Sequence, residues 1–263
     1  MFYKNVLTGG IQLGKANQFT GKASAYEKHR PNYPQACIDF IISAAGLKRG
    51  NVVADIGAGT GIFSRQLSES GLQVMAVEPN ADMRAQAEKM LADYSNTVVL
   101  PGSAEETGIA AGSVRLVIAA QAFHWFDAAK FRAECKRILV PGGRVALIWN
   151  SRDLESPLVQ ETAGICRRFC PNFNGFSGGI EERLEVLHQF FDKGIFEYQV
   201  FENPVIYDCQ GLIGRYLSSS FAPKLGDVHY LDYIAAFGAL FDRYSVQGRL
   251  CFPYKTRCYL GSV

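Results

Sequence analysis

Residues 52–61 read VVADIGAGTG. The run from Asn51 to Ile56 is apolar and β-branched, the composition of a strand buried on both faces. Gly57, Gly59 and Gly61 then alternate with other residues, where a chain can take positive φ and a ligand can approach the backbone. A helical pattern from Thr60 to Ser68 follows, with Phe63 and Leu67 one turn apart. Strand, glycine turn and helix in that order form a unit that binds ligands at the helix N-terminus.

The alternation continues outward from this unit. Leu72 to Val77 reads as a second strand. Asn80, after Pro79, is a candidate N-cap for a helix from Ala81 to Tyr94, whose stripe is Met83, Ala87, Met90, Leu91 and Tyr94. Thr97 to Leu100 and Val114 to Ala119 read as the third and fourth strands. Asp127 caps a helix to Leu139 with Phe131, Cys135, Ile138 and Leu139 inward, Pro141-Gly142-Gly143 stops it, and Arg144 to Trp149 reads as a fifth strand. Strands spaced by helix-length segments make a parallel sheet covered on both faces, a doubly wound α/β fold. Ligands of such sheets bind beyond the carboxyl ends of the strands. Segments 55–61, 78–80, 102–106, 121–125 and 150–153 are therefore the candidate site.

Outside 51–150 the pattern changes. A polar arm precedes a helix near Gln35 to Ala45. Glu155 to Phe191 is helical with a glycine-rich break at Asn174 to Gly179, and Phe196 to Tyr207 is a strand interrupted near Pro204. Gln210 to Ser220 and Leu231 to Tyr244 are helical, and Arg249 to Leu260 is a final strand. Three units result: 1–50, 51–150 and 151–263.

The glycine spacing separates two ligand classes. A dinucleotide fingerprint needs Gly-x-Gly-x-x-Gly. Counting from Gly57 the last position is Ile62, and counting from Gly59 it is Ser64. Asp55 at the mouth of the turn would also repel a diphosphate, whereas the ammonium and sulfonium of S-adenosylmethionine suit a carboxylate. The other reading of Asp55 is a turn or helix cap. Glu78 closes the second strand, where an acidic side chain takes ribose hydroxyls in either cofactor. Met83 either covers an adenine face or packs in the core.

Composition limits the rest. The chain has 263 residues, is 48% hydrophobic and carries a net charge of +2 from 27 basic and 25 acidic residues. That supports a full core and gives no basic tract for nucleic acid. Arg132, Lys136 and Arg137 read as a solvated helix face. No signal-peptide pattern and no membrane-length apolar run stands out, so a soluble cytoplasmic protein is expected. Seven cysteines in a chain of this size read as free thiols. Cys166 and Cys170 read as core residues, and no metal-ligand set is evident.

Taken together, VADIGAGTG, VEPN, GSAEE, AQAFHWFD and RILVPGGRVALIWN resemble the class I S-adenosylmethionine-dependent methyltransferases, in the group called methyltransferase type 11. The segment Tyr26-x-x-x-Arg30-Pro31-x-Tyr33-Pro34 and the QAFHWFD stretch are most similar to a trans-aconitate-methyltransferase-like subgroup. The resemblance is strong over about residues 20–150 and faint beyond. It implies a Rossmann-like, mostly parallel seven-stranded sheet with helices on both faces and a helical lid insertion. It implies that Gly57, Ala58 and Gly59 line the cofactor's methionine and ribose, with Glu78 on the ribose and Pro79 and Asn80 shaping that edge. Ala104 and Glu105 flank the adenine, and Gln121 meets the methionine end. Tyr26 and Arg30 belong to an arm closing over the cofactor, with Arg30 either pairing with its carboxylate or making a surface ion pair.

Methyl transfer from a sulfonium is an in-line displacement, for which the protein supplies alignment. A base is needed only where the acceptor loses a proton. His124 is the candidate, and its competing role is packing beside Trp125. The segments beyond residue 150 include Arg152, Arg215, Tyr216, Phe221, Tyr233 and Phe237. They suit a small acidic or aromatic acceptor rather than nucleic acid or membrane. A cofactor-binding protein without catalysis and a nicotinamide-dependent oxidoreductase are the alternatives.

Overall fold

A computed structural model describes residues 31–176 and 184–263. At its centre β1 (Val52–Ile56) pairs in parallel with β2 (Gln73–Val77) on one side and β4 (Val114–Ala120) on the other. β3 (Thr97–Leu100) continues in parallel beyond β2, and β5 (Leu139–Arg152) beyond β4. Two later strands join antiparallel, β9 (Tyr254–Gly261) on β5 and β6 (Phe196–Glu202) on β9. The seven-stranded order is β3-β2-β1-β4-β5-β9-β6. Sheet growth reverses between β1 and β4, so the crevice that binds ligands in such sheets opens where those two strands end.

Alternate residues of each strand bury against opposite helical layers. Val53, Val74, Leu116 and Ile118 pack on α1 (Gln35–Ala44) and α2 (Ile62–Glu69). α3 (Ala81–Met90) sits on the same side through Ala87 against Ala76. Ala54, Ile56, Val117 and Ala119 face α4 (Ala128–Ile138) and α6 (Leu184–Phe190). α5 (Pro157–Phe169), α7 (Cys209–Leu217) and α8 (Tyr230–Tyr244) build a second core with a two-stranded antiparallel sheet of β7 (Val205–Tyr207) and β8 (Leu250–Phe252). This helical unit is built from two insertions in the sheet, α5 between β5 and β6, and β7, α7, α8 and β8 between β6 and β9.

Three expectations need correction. The helix after the glycine turn begins at Ile62 rather than Thr60, because Gly59 and Gly61 have φ of 59° and 86°, outside the right-handed helical region. The helix from Ala81 ends at Met90, and Tyr94 lies beyond it with its hydroxyl donating to Glu69. The fifth strand begins at Leu139, not Arg144. Val114 pairs with Leu139 and Leu116 with Arg144, so Pro141-Gly142-Gly143 forms an irregularity within a 14-residue strand.

All seven cysteines are free thiols. Among the described residues no helix is long and apolar enough to cross a membrane. Nor is any group of three or more His, Cys, Asp or Glu placed to hold a metal ion there.

Candidate active site

The glycine turn is drawn onto the end of β2. Gly57 and Ala58 both donate their N–H to the carbonyl of Val77, at 2.9 and 3.1 Å. Gly57 has φ of 70°, and a Cβ there would lie 2.6 Å from the Ala122 Cβ and 3.1 Å from the Phe126 ring, so only glycine lets the turn meet the loop after β4. Gly59 differs. Its φ is 59°, yet a Cβ would meet nothing within 4 Å. A side chain at Gly59 would therefore enter open space, unlike one at Gly57.

Two carboxylates border the turn. Asp55 is 1% exposed and sits one residue before the end of β1. The Ser64 hydroxyl donates to its Oδ2 at 2.6 Å, which ties β1 to α2, while Oδ1 has no partner among the described residues. Burial raises its pKa to about 7. The Ser64 hydrogen bond opposes that shift, and the nearby Glu78 carboxylate adds to it. Glu78 is also buried, and it uses one oxygen for the Gly59 N–H and the other for the Asn80 N–H, each at 2.9 Å. Burial raises its pKa, and these two amides and Arg84 work in the other direction. Each Glu78 oxygen keeps a further lone pair for a ligand hydroxyl. Asn80 caps α3 by accepting from the Met83 N–H at 3.0 Å, as its position predicts. Pro79 is exposed at that edge, and Met83 is buried under it.

The loop after β4 supplies the opposite wall. Gln121 has φ of 58°, rare for a residue with a side chain, and its Nε2 donates to the Asn150 carbonyl at the end of β5, at 2.9 Å. The turn Phe123–Trp125 follows. Phe123 is the member that packs, against Phe131, Trp149 and Phe190, whereas His124 and Trp125 stay half-buried with ring centroids 4.9 Å apart. Phe123 thus carries most of the aromatic packing of this turn.

Segment 102–109 closes the remaining side. Ala104 is buried. The Glu105 Oε1 accepts from the Asp127 N–H at 2.9 Å, so Glu105 braces the start of α4. A residue the sequence did not flag holds this segment. Glu134 accepts from both the N–H and the hydroxyl of Thr107 and from the Arg137 guanidinium, and Arg137 reaches on to the Ile109 carbonyl. Arg137 is exposed, as the sequence suggests, and still makes these bonds, holding the Glu134 carboxyl down at about 2. The Thr107 and Glu134 spacing in sequence carries no signal that would have paired them.

Asn150 joins the site to the N-terminal segment. Its Nδ2 donates to the carbonyls of Pro31 and Asn32, both at 3.3 Å. Tyr26 and Arg30 lie outside the described residues.

Known proteins can be compared with this geometry. Residues 54–147 match the family described as a methyltransferase domain. An uncharacterised methyltransferase of Mycobacterium tuberculosis, Rv3342, is 41% identical over 150 residues, covering 57% of this chain and 59% of that protein. An uncharacterised methyltransferase-like protein of Schizosaccharomyces pombe is 31% identical over 152 residues, 57% of this chain and 58% of its own. The chain thus spans less than two thirds of the relatives it matches. A solved structure from Anaeromyxobacter dehalogenans, assigned as a type II methyltransferase, superposes with a TM-score of 0.66 at 22% identity over 89% of this chain and 97% of that one. The matched stretch runs from within β1 through β4 into β5, so it contains both carboxylates, the glycine turn and the His124 turn.

Proposed function

We propose that this chain transfers a methyl group from S-adenosylmethionine to a small-molecule acceptor. The observation that carries the reading is Asp55, a buried carboxylate beside an open glycine turn with one oxygen unpartnered among the described residues. Asp55 and Glu78 together make this end of the crevice acidic. A diphosphate would be repelled there, while an ammonium would relieve the burial of Asp55. A Haemonchus contortus phosphoethanolamine N-methyltransferase of the same fold was solved with S-adenosylhomocysteine, at 17% identity and a TM-score of 0.54. Residues 26–34 and 121–127 favour the trans-aconitate-like subgroup.

In this reading Asp55 takes the ammonium, Glu78 the ribose hydroxyls, and Gly59 leaves room for the chain between them. Met83, Ala104 and Glu105 border the adenine, and Gln121 the methionine end. When bound, the cofactor supplies an electrophilic methyl on its sulfonium. His124 accepts the proton of an acceptor that must lose one.

The test is transfer of labelled methyl from S-adenosylmethionine to a panel of small acids, amines and phenols, using the full chain. Labelled product with formation of S-adenosylhomocysteine supports the reading. Cofactor binding without transfer across the panel makes this a non-catalytic binding protein, and binding of NADH alone makes it an oxidoreductase.

A further inference from the structure

The sheet face that buries Ala146 and Ile148 of β5 beside Leu260 and Cys258 of β9 changes character at its crevice end. The next register pair on that face is Asn150 and Thr256, and both are buried. Polar groups buried in this way must find partners, and these two find them in one cluster with Asn203. The Thr256 hydroxyl donates to the Asn150 Oδ1 at 2.5 Å. Asn203, the residue after β6, brings its Nδ2 to 3.2 Å from both that oxygen and the Thr256 Oγ1. The same Nδ2 donates to the Asn32 carbonyl at 2.9 Å, and the Asn150 Nδ2 donates to the carbonyls of Pro31 and Asn32. The next residue is held from another side, since the Gln66 side chain accepts from the Tyr33 N–H at 3.0 Å and donates to the Tyr33 carbonyl at 2.8 Å.

Carbonyl oxygens only accept, so residues 31 and 32 fix the polarity of the cluster from outside. Both asparagines present their amide nitrogens to those carbonyls. Asn150 is then left with Oδ1 towards Thr256 and Asn203, and both of these donate to it. One arrangement satisfies the whole cluster, and an acceptor in place of the Asn203 amide nitrogen would face three oxygens. The route of the chain at Asn203 is fixed independently, because its backbone N–H donates to the Tyr254 carbonyl at 2.9 Å and extends the pairing of β6 with β9. The side chain is therefore spared for orienting the end of β5. Gln121 depends on that strand end: its backbone has φ of 58°, and its Nε2 is fastened to the Asn150 carbonyl at 2.9 Å. The residue at the methionine end of the proposed cofactor site thus rests on the residue that Asn203 and Thr256 orient.

We propose that Asn203, which lies outside the matched stretch 54–147, is a positioning residue for the methionine end of S-adenosylmethionine, acting through Asn150 on Gln121. This rests on the methyl-transfer reading, in which Gln121 borders that end. The full chain and its variants would be titrated calorimetrically with S-adenosylhomocysteine and with 5′-methylthioadenosine, which keeps the adenine and ribose but lacks the amino-acid portion. Asn203→Ala should bind S-adenosylhomocysteine roughly fivefold more weakly, the effect of about one hydrogen bond, and methylthioadenosine within about twofold of the parent. Asn203→Asp keeps the shape but offers no donor, so its loss for S-adenosylhomocysteine should be larger, roughly tenfold or more. Both variants should unfold within a few degrees of the parent. In a Gln121→Ala background the Asn203→Ala loss should largely vanish, because the two residues act along one path. Unchanged affinity for S-adenosylhomocysteine overturns the proposal. So does parallel weakening of both ligands, which marks a general loosening of the fold, and so do additive losses with Gln121→Ala. Failure of both Asn203 variants to fold makes the cluster purely structural and also overturns it. Failure of the parent itself to bind S-adenosylhomocysteine sinks the methyl-transfer reading instead, before any variant is compared.

Discussion

Glu78 accepts a hydrogen bond from the backbone N–H of Gly59 at 2.9 Å, so the acidic end of β2 grips the turn that leaves β1. The same carboxylate holds the Asn80 N–H at the start of α3. Replacing it with Gln removes the charge and turns one acceptor into a donor facing an amide. Hydrogen bonds to charged groups contribute about 1.5–3 kcal/mol, so Glu78→Gln should weaken S-adenosylhomocysteine binding roughly 10- to 100-fold. Calorimetric titration measures this, and unchanged affinity would remove Glu78 from the site.

Gly57 and Gly59 should respond differently to alanine. Both have positive φ, which costs an alanine about 1–2 kcal/mol. At Gly57 the new methyl also collides with Ala122 and Phe126, so Gly57→Ala should lose about 2–4 kcal/mol of stability in urea unfolding. Gly59→Ala meets no protein atom. It should lose only about 1 kcal/mol while losing cofactor affinity at least tenfold.

Asp55 links stability and binding to pH. Its folded pKa, about 7, lies above the ordinary carboxylate value of 3.8. The folded state therefore holds this proton more tightly than the unfolded chain. Asp55 contributes stability that is complete below about pH 4 and lost as pH rises to about 7. Asp55→Asn keeps an acceptor for Ser64 and removes this loss. It should stabilise the ligand-free protein at pH 8, by an amount on the order of a few kcal/mol, and weaken cofactor binding. Wild-type affinity for S-adenosylhomocysteine should rise between pH 6 and 8, with proton release detectable by titration in buffers of different ionisation enthalpy. A flat profile would mean that Asp55 does not meet the ammonium.

Glu134 works in the opposite direction. Arg137 and Thr107 hold its pKa at about 2, below the ordinary 4.5. Its contribution is present above about pH 4.5 and lost as pH falls towards 2. Glu134→Ala should cost about 2–3 kcal/mol, since it strips Thr107 and Arg137 of their acceptor. Thermal unfolding of the variant at pH 7 and pH 3 tests this, and the difference from wild type should shrink at the lower pH.

Much of this site can be read in the sequence, because its signals are local. The alternating glycines, the N-caps Asn80 and Asp127, and the acidic end of β2 are each set by neighbours within a few residues, and the structure places them as expected. What escaped depends on distant partners. Glu134 shows nothing of its role until Thr107 is brought beside it. Pro141-Gly142-Gly143 looks like a stop, but pairing with β4 carries the strand through it. The burial of Arg152 and Arg215 comes from packing of the helical unit, to which pattern is blind. The strained backbone of Gln121 has no sequence signature either.

The most direct test of the central claim is calorimetric titration of S-adenosylhomocysteine into the full chain and its Gly59→Ala variant, with thermal unfolding of both. The account predicts one-site binding to the parent, at least tenfold weaker binding to the variant, and unfolding of the variant within a few degrees of the parent. Absence of binding to the parent, or equal affinity of a folded variant, would contradict it.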